Sequence, residues 1–286
     1  RTAIAEAKRM LDKSSKRRFS DRNGLFPQLS KSHAYARYSC QMTRPIIIAH
    51  RGLDNSYPEN TLIAFKAALK NGMAVEIDVR STADEELVVL HDDTVDRTTD
   101  GSGPVAEMNL DELKQLDAGG WKGIEFAGER VPTLEETFDT VKEHGVAEIT
   151  LIMEMKTLDP GNIRKICYGL EEHELLDKTV GIGLIHLSVD IRRRFYEGNE
   201  SFQCATVANR ALELPMAISD PFSNWIYTRY PLSSEDISII HDHGKKVIAS
   251  GPGVMDDVDG MVAIAEAGAD TIMSYHPEVL AEQLAR

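Results

Sequence analysis

Short apolar, β-branched runs recur along this chain, and amphipathic stretches that end at Gly or Asn lie between many of them. No other feature constrains the fold as strongly, because such alternation predicts parallel strands joined by crossover helices. Candidate strands fall at 46–50, 75–79, 87–91, 149–155, 180–185, 202–207, 225–228, 247–250 and 270–273. The apolar spacing predicts helices at 61–70, 133–143, 162–173, 234–243 and 257–267. Asn60 is a candidate N-cap for the first helix, and Asn71-Gly72, Gly244 and Gly268 are candidate stops. The strand-helix unit repeats about every 20–45 residues over some 240, the size of one (β/α)8 barrel. The expected fold class is therefore α/β, a TIM-like (β/α)8 barrel, with a doubly wound sheet as its structural rival.

Residues 92–131 are too long and too Gly-rich for a minimal strand-to-helix connection, and long ordered loops tend to be functional. They are read as a small insertion that caps one end of the barrel after an early strand. The domain organisation that follows is a basic, Ser-rich segment at 1–45 and a barrel domain at 46–286. Segment 1–45 holds 11 Lys and Arg against 3 Asp and Glu, whereas the whole chain has a net charge of -14. That segment has the composition of an organelle transit peptide and equally that of a solvated arm or linker. The sequence reading places the chain in the cytoplasm, with organellar import as the alternative. No apolar run approaches the roughly 18 residues that a membrane span needs. So acidic a chain is a poor partner for nucleic acid. The three cysteines, Cys40, Cys167 and Cys204, are odd in number and widely spaced, against a disulfide framework or a Cys-built zinc site. A homodimer is compatible with the sequence, although no helix pattern demands one.

Polar side chains that interrupt buried strands are costly unless they are used or paired. In Val-Glu-Ile-Asp-Val, the strand period of two points Glu76 and Asp78 to one side, and Glu154 and Lys156 repeat the spacing at the end of another strand. Three carboxylates converging at strand ends repel one another, and a divalent cation is the natural compensation. Ligands that are all oxygen suggest Mg2+ or Ca2+ over zinc. The competing reading is that each acid is paired within the barrel. His50 and His91 end two further strand candidates, followed by Arg51 and Asp92. Two imidazoles on either side of a reacting phosphorus can serve as base and acid, and Arg51 and Lys156 suit phosphate oxygens. His241 and His243 are read as helix-end residues, Ser188 as an N-cap or a ligand contact, and Trp121 and Phe126 as an apolar wall or loop anchors. No phosphate-binding P-loop, nucleophile elbow or dinucleotide fingerprint is present.

Together these residues resemble the glycerophosphodiester phosphodiesterase family. The match begins at Ala49-His50-Arg51-Gly52 and Pro58-Glu59-Asn60-Thr61, and continues through Glu76-Ile77-Asp78-Val79 and His91-Asp92. Arg97-Thr98-Thr99-Asp100-Gly101-Ser102-Gly103, Val131-Pro132-Thr133-Leu134-Glu135-Glu136, Glu154-Met155-Lys156 and Ala267-Gly268-Ala269-Asp270 extend it. The resemblance implies a metal-dependent phosphodiesterase on a TIM-like barrel, acting on a small glycerophosphodiester. It implies His50 and His91 as the acid/base pair, Glu76, Asp78 and Glu154 as metal ligands, and Arg51 and Lys156 as substrate contacts.

Two departures concern the pocket wall. A Trp-Thr-Val-Asn-like run expected at the seventh barrel strand is replaced by Ala249-Ser250-Gly251-Pro252-Gly253, and the closing Thr-Asp-x-Pro is replaced by Ser274-Tyr275-His276-Pro277. The expected reaction is hydrolysis to sn-glycerol 3-phosphate and an alcohol. The alternatives are a lysophospholipase D or phospholipase-type activity on a lipid, a Schiff-base lyase using Lys156, and a phosphodiester-binding protein without turnover.

Overall fold

A computed structural model describes residues 44–156, 160–183 and 189–286, so nearly all of segment 1–45, with Cys40, and also Ser188 lie outside the described residues. The compact unit runs from Arg44 to Arg286. Its strands are β1 (Ile46–Ala49), β2 (Ala74–Ser81), β3 (Leu87–Val89), β4 (Leu151–Met155), β5 (Thr179–Ile182), β6 (Gln203–Ala208), β7 (Trp225–Thr228), β8 (Lys246–Ala249) and β9 (Thr271–Ser274). They form one sheet in the order β1-β9-β8-β7-β6-β5-β4-β2-β3, and a β1–β2 pairing closes it. The ring is eight parallel strands, which makes the molecule a (β/α)8 barrel and excludes the doubly wound rival.

The third strand candidate is the exception. β3 runs antiparallel to β2, with Val79 opposite Val89 and Ser81 opposite Leu87, and lies outside the ring. Only residues 82–86 separate the two strands, too few for the crossover that parallel neighbours require. This hairpin also explains why β2 extends past Val79 to Ser81.

Helices cover the ring: α1 (Leu62–Lys70), α2 (Leu110–Leu113), α3 (Leu134–His144), α4 (Pro160–Glu172), α5 (Val189–Gly198), α6 (Leu214–Ile218), α7 (Ser234–Asp242), α8 (Val258–Glu266) and α9 (Pro277–Leu284). Capping fixes several starts. Thr133 and Glu136 form a reciprocal capping box on α3, as do Ser233 and Asp236 on α7. The cap of α1 is Thr61 and not the predicted Asn60. Asn60 is left-handed at φ 54, a conformation Asn tolerates, and its amide is taken by Asp78. At the end of α7, His243 is the C-cap and donates to the Ile239 carbonyl, while His241 reaches across to Asp270 at 2.8 Å.

The interior of the ring is filled by Ile48, Ala74, Ile152, Val180, Trp225, Tyr227, Ile248 and Met273. Opposite faces of the same strands pack on the helices, through Phe65, Ile77, Phe138 and Leu151 on one half and Ile226, Ile240, Val247 and Met261 on the other. The connection after β3 has its own small core of Val88, Leu90, Val95, Val105, Leu113 and Val131. Cys167 and Cys204 are buried free thiols. No helix among the described residues is long and apolar enough to cross a membrane.

Candidate active site and metal centre

The period of two decides what reaches the mouth of the barrel. On β2, Ala74, Glu76 and Asp78 face inward, and on β4 Ile152 and Glu154 do, with Lys156 just beyond. Register sets Asp78 directly opposite Glu154. Glu76, Asp78 and Glu154 are all buried, and each offers a carboxylate oxygen within 4.8 Å of the others. Burial raises the Glu76 pKa well above the usual carboxylate range, and the charges of Asp78 and Glu154 push it further. Burial acts in the same direction on Asp78, but Lys156, Arg51 and His91 outweigh it and hold this carboxyl below its ordinary value.

Two cations answer the three acids. The Lys156 ammonium lies 2.7 Å from Glu154 Oε1 and 3.0 Å from Asp78 Oδ1. Arg51 Nε lies 3.2 Å from Asp78 Oδ2. Burial opposes the charge on Lys156, yet Asp78 and Glu154 raise its pKa overall, so the ammonium form is favoured. A Schiff-base nucleophile needs the free amine, and this environment works against it. Asp78 Oδ1 makes no hydrogen bond of good geometry among the described residues and relies on the Lys156 contact. An all-oxygen donor set with a surplus carboxylate and such a buried oxygen fits a divalent hard cation.

Backbone shape aims the Arg51 side of the site. After β1 the chain turns through two left-handed residues, Arg51 at φ 48 and Gly52 at φ 85. For Arg51 this costs on the order of 1–2 kcal/mol. The turn directs the Arg51 N–H to Glu76 Oε2 at 3.0 Å. Gly52 is required twice over, since a Cβ there would come within 2.7 Å of Ala64 Cβ on α1. Asn60 closes the turn: its N–H donates to the Arg51 carbonyl, and its side chain donates to Asp78 Oδ2 at 2.8 Å.

Both histidines are held through Nδ1. His50 Nδ1 donates to Asp54 Oδ2 at 2.7 Å, and the ring meets Tyr275 edge-on at 4.7 Å between centroids. His91 follows β3 and reaches the mouth from the hairpin: Leu90 N–H bonds the Asp78 carbonyl, and Arg80 donates to the His91 carbonyl. His91 Nδ1 donates to Asp92 Oδ1 at 2.7 Å. A carboxylate on Nδ1 fixes that proton there and leaves Nε2 as the working nitrogen.

Sequence reasoning assigned no role to Asp54, Asp92, Glu59 and Arg97, which tie these groups together. Arg97 donates to Asp92 Oδ2 at 2.6 Å and to both oxygens of Glu59 at 2.7 and 2.8 Å. Glu59 also accepts from Arg51 at 2.8 Å. Arg97 thus links the carboxylate behind His91 to the carboxylate behind Arg51. Its hydrogen bond, and then that of His91, hold Asp92 far below the ordinary carboxylate range. The available signal was position: Asp54 lies four residues after His50, and Asp92 follows His91 directly.

On the insertion, Trp121 donates to the Ala118 carbonyl and is partly exposed, while Phe126 packs on Tyr57 at 5.6 Å. Lys122 Nζ donates to the Asp54 carbonyl at 2.6 Å, which ties this loop to the His50 side. Of the altered walls, Ser250 turns into the barrel and bonds the Tyr227 hydroxyl at 2.6 Å, and Tyr275 takes the place beside His50.

Residues 50–183 match the glycerophosphoryl diester phosphodiesterase family. A glycerophosphodiester phosphodiesterase of Caldanaerobacter subterraneus is 33% identical over 245 residues, covering 83% of this chain and 96% of that protein. Among solved structures, the chain is similar to a glycerophosphodiester phosphodiesterase from Agrobacterium tumefaciens, with 28% identity and a TM-score of 0.71 over 83% of this chain and 99% of that one. It is also similar to an Oleispira antarctica phosphodiesterase in complex with the product sn-glycerol-3-phosphate, with 26% identity and a TM-score of 0.73 over 85% and 98% of the two chains. With a relative of that identity matched over almost its entire length, on the same barrel, the chain belongs to the glycerophosphoryl diester phosphodiesterase family.

Proposed function

We propose that this phosphodiesterase hydrolyses glycerophosphodiesters to sn-glycerol 3-phosphate and an alcohol, with His50 and His91 as its acid/base pair. Glu76, Asp78 and Glu154 are the ligands of a divalent cation, Mg2+ or Ca2+, and Arg51 and Lys156 contact phosphate oxygens. The observation that carries the reading is the convergence of two carboxylate-held imidazoles on one buried acidic triad. Three carboxylates, a divalent cation and two basic side chains leave a charge of about +1, matched to a monoanionic diester. The cation, when bound, polarises a phosphoryl oxygen. Nε2 of one histidine takes the proton from the attacking oxygen, which is water or the neighbouring glycerol hydroxyl, and the other protonates the departing alkoxide. The bond from phosphorus to the alcohol oxygen breaks as the bond to the attacking oxygen forms; where that oxygen is the glycerol hydroxyl, the product is a cyclic phosphate, which water opens to sn-glycerol 3-phosphate in a second displacement.

Metal-stripped protein assayed on glycerophosphocholine, glycerophosphoethanolamine and glycerophosphoinositol tests this, with released glycerol 3-phosphate coupled to its dehydrogenase. Product that returns with Mg2+ or Ca2+ supports the reading, and no product from folded, metal-loaded protein overturns it. A second reading, a lysophospholipid as substrate, is favoured by the exposed Trp121 and Ile124 on the loop that Lys122 ties to Asp54. Turnover that climbs as such a lipid becomes micellar supports that substrate.

A further inference from the structure

The side of the mouth away from the acidic triad carries a cation that the proposed reaction does not use. β7 lies four strands from β2 in either direction around the ring of eight, so its end stands opposite Glu76 and Asp78. Trp225 and Tyr227 of β7 point into the barrel. Thr228 is buried on the other face, so the period of two turns the next residue, Arg229, toward the mouth. The ladder still holds this residue, because the Arg229 N–H bonds the Ala208 carbonyl at 2.9 Å.

Neighbouring strands leave Arg229 half-buried and, among the described residues, without a carboxylate in ion-pair contact. The end of β8 is small: Ser250 turns down to Tyr227, and Gly251, at φ +88, sits so close that a Cβ would come 2.7 Å from Arg229 Cα and Cβ. On the β6 side, Asn209 Oδ1 accepts a long hydrogen bond of 3.4 Å from Arg229 Nη1. The nearby carboxylate of Glu213 is occupied by Arg210 at 2.8 Å and by the Asn209 N–H. Among the described residues, no carboxylate forms an ion pair with Arg229, whereas Arg51, Arg97 and Lys156 are each paired. The buried Tyr227 hydroxyl lies between the two sides: burial chiefly raises its pKa, the Ser250 hydrogen bond lowers it, Glu76 and Glu154 raise it, and Arg229 lowers it.

We propose that Arg229 recognises an oxyanion on the alcohol half of the diester, so that the enzyme prefers acidic head groups. This inference rests on the reaction proposed above. With the phosphate at the triad, one arm of the substrate extends across the mouth toward β7. A planar guanidinium with most of its five donors available matches a carboxylate or phosphate, and it repels the ammonium of a choline-type head group.

Glycerophosphoserine and glycerophosphoethanolamine differ by one carboxylate and make the test. The expected kcat/KM of the native chain favours the serine diester about tenfold, the scale of one charge-assisted contact. Arg229→Gln lowers kcat/KM for glycerophosphoserine about tenfold more than for glycerophosphoethanolamine, and Arg229→Lys restores part of the difference. Two results overturn the proposal: a native chain with no preference for the serine diester, or an Arg229→Gln loss equal for both. The first needs no variant to fold. If neither diester is turned over, the proposed reaction itself fails. Calorimetric affinities of the same two diesters for metal-loaded protein then decide the role of Arg229 separately.

Discussion

Two buried ionic clusters in this barrel are built on opposite principles. At the mouth, Glu76, Asp78 and Glu154 bring three negative charges against the two positive ones of Arg51 and Lys156. On α5, Arg192 is matched to the Asp220 carboxylate, with both side chains almost fully buried. Asp220 is further held by Thr206 at 3.1 Å and by the Phe222 N–H at 2.9 Å, and its carbonyl accepts from Lys245. Burying charge without a balanced partner is expensive, so an unbalanced cluster persists where a ligand completes it, and a balanced one suffices for structure alone. The first cluster should therefore govern activity and the second stability.

The largest expected separation is kinetic. His50→Ala and His91→Ala each lower kcat by about 10²–10⁴, the usual contribution of a general acid or base, with little change in melting temperature. Steady-state kinetics beside a thermal melt check both halves, and near-normal turnover in both variants would remove the proposed mechanism. The second cluster should respond in reverse. Asp220→Ala removes the carboxylate that Arg192 pairs with and should cost about 3–5 kcal/mol of stability, read by denaturant unfolding. Below the melting range its kcat should stay near the native value, and a selective loss of kcat would break the comparison.

A smaller effect tests the imbalance itself. Glu76 has its pKa raised in the folded chain, so its charged form costs stability at neutral pH. Glu76→Gln should stabilise the metal-free protein by on the order of 1–3 kcal/mol while abolishing the melting-point rise that Mg2+ or Ca2+ gives the native chain. Destabilisation in chelator would mean that the three acids are already balanced without a ligand.

Much of this was legible in the sequence, for physical reasons that differ by residue. The parallel strands announce themselves because a doubly covered strand must be continuously apolar, and Glu76, Asp78 and Glu154 stand out because they interrupt such strands. The direction of β3 is not carried by Leu-Val-Val, which suits either orientation, but by the short 82–86 turn. Asn60 reads as a helix cap on local preference, and the long-range attraction of Asp78 decides otherwise. The helices α2, α5, α6 and α9 are not among the predicted ones: α2 and α6 have only four and five residues, α5 carries three consecutive arginines, and α9 opens on Pro277. Arg97 gave no periodic signal, because its partners Glu59 and Asp92 meet only once the insertion folds over β1.

An exposed pair completes the comparison by removing burial. His241 Nε2 lies 2.8 Å from Asp270 Oδ2, with the imidazole 39% exposed. The hydrogen bond to Asp270 raises the His241 pKa, burial opposes it, and the Asp270 charge adds to it. A raised pKa in the folded state means that the folded chain binds the proton more tightly than the unfolded chain. The resulting stability is complete below the unfolded value of about 6.5 and is lost as pH rises through the higher folded value. Solvent screening keeps it below about 1 kcal/mol. His241→Gln should flatten that stretch of the stability-against-pH curve, measured by urea unfolding between pH 6 and 8, without altering kcat. A carboxylate also holds His50 and His91 at a similar distance, though through Nδ1, so a flat native curve here would show that the short contact alone confers little. Their value at the mouth would then come from the buried acids and cations around them.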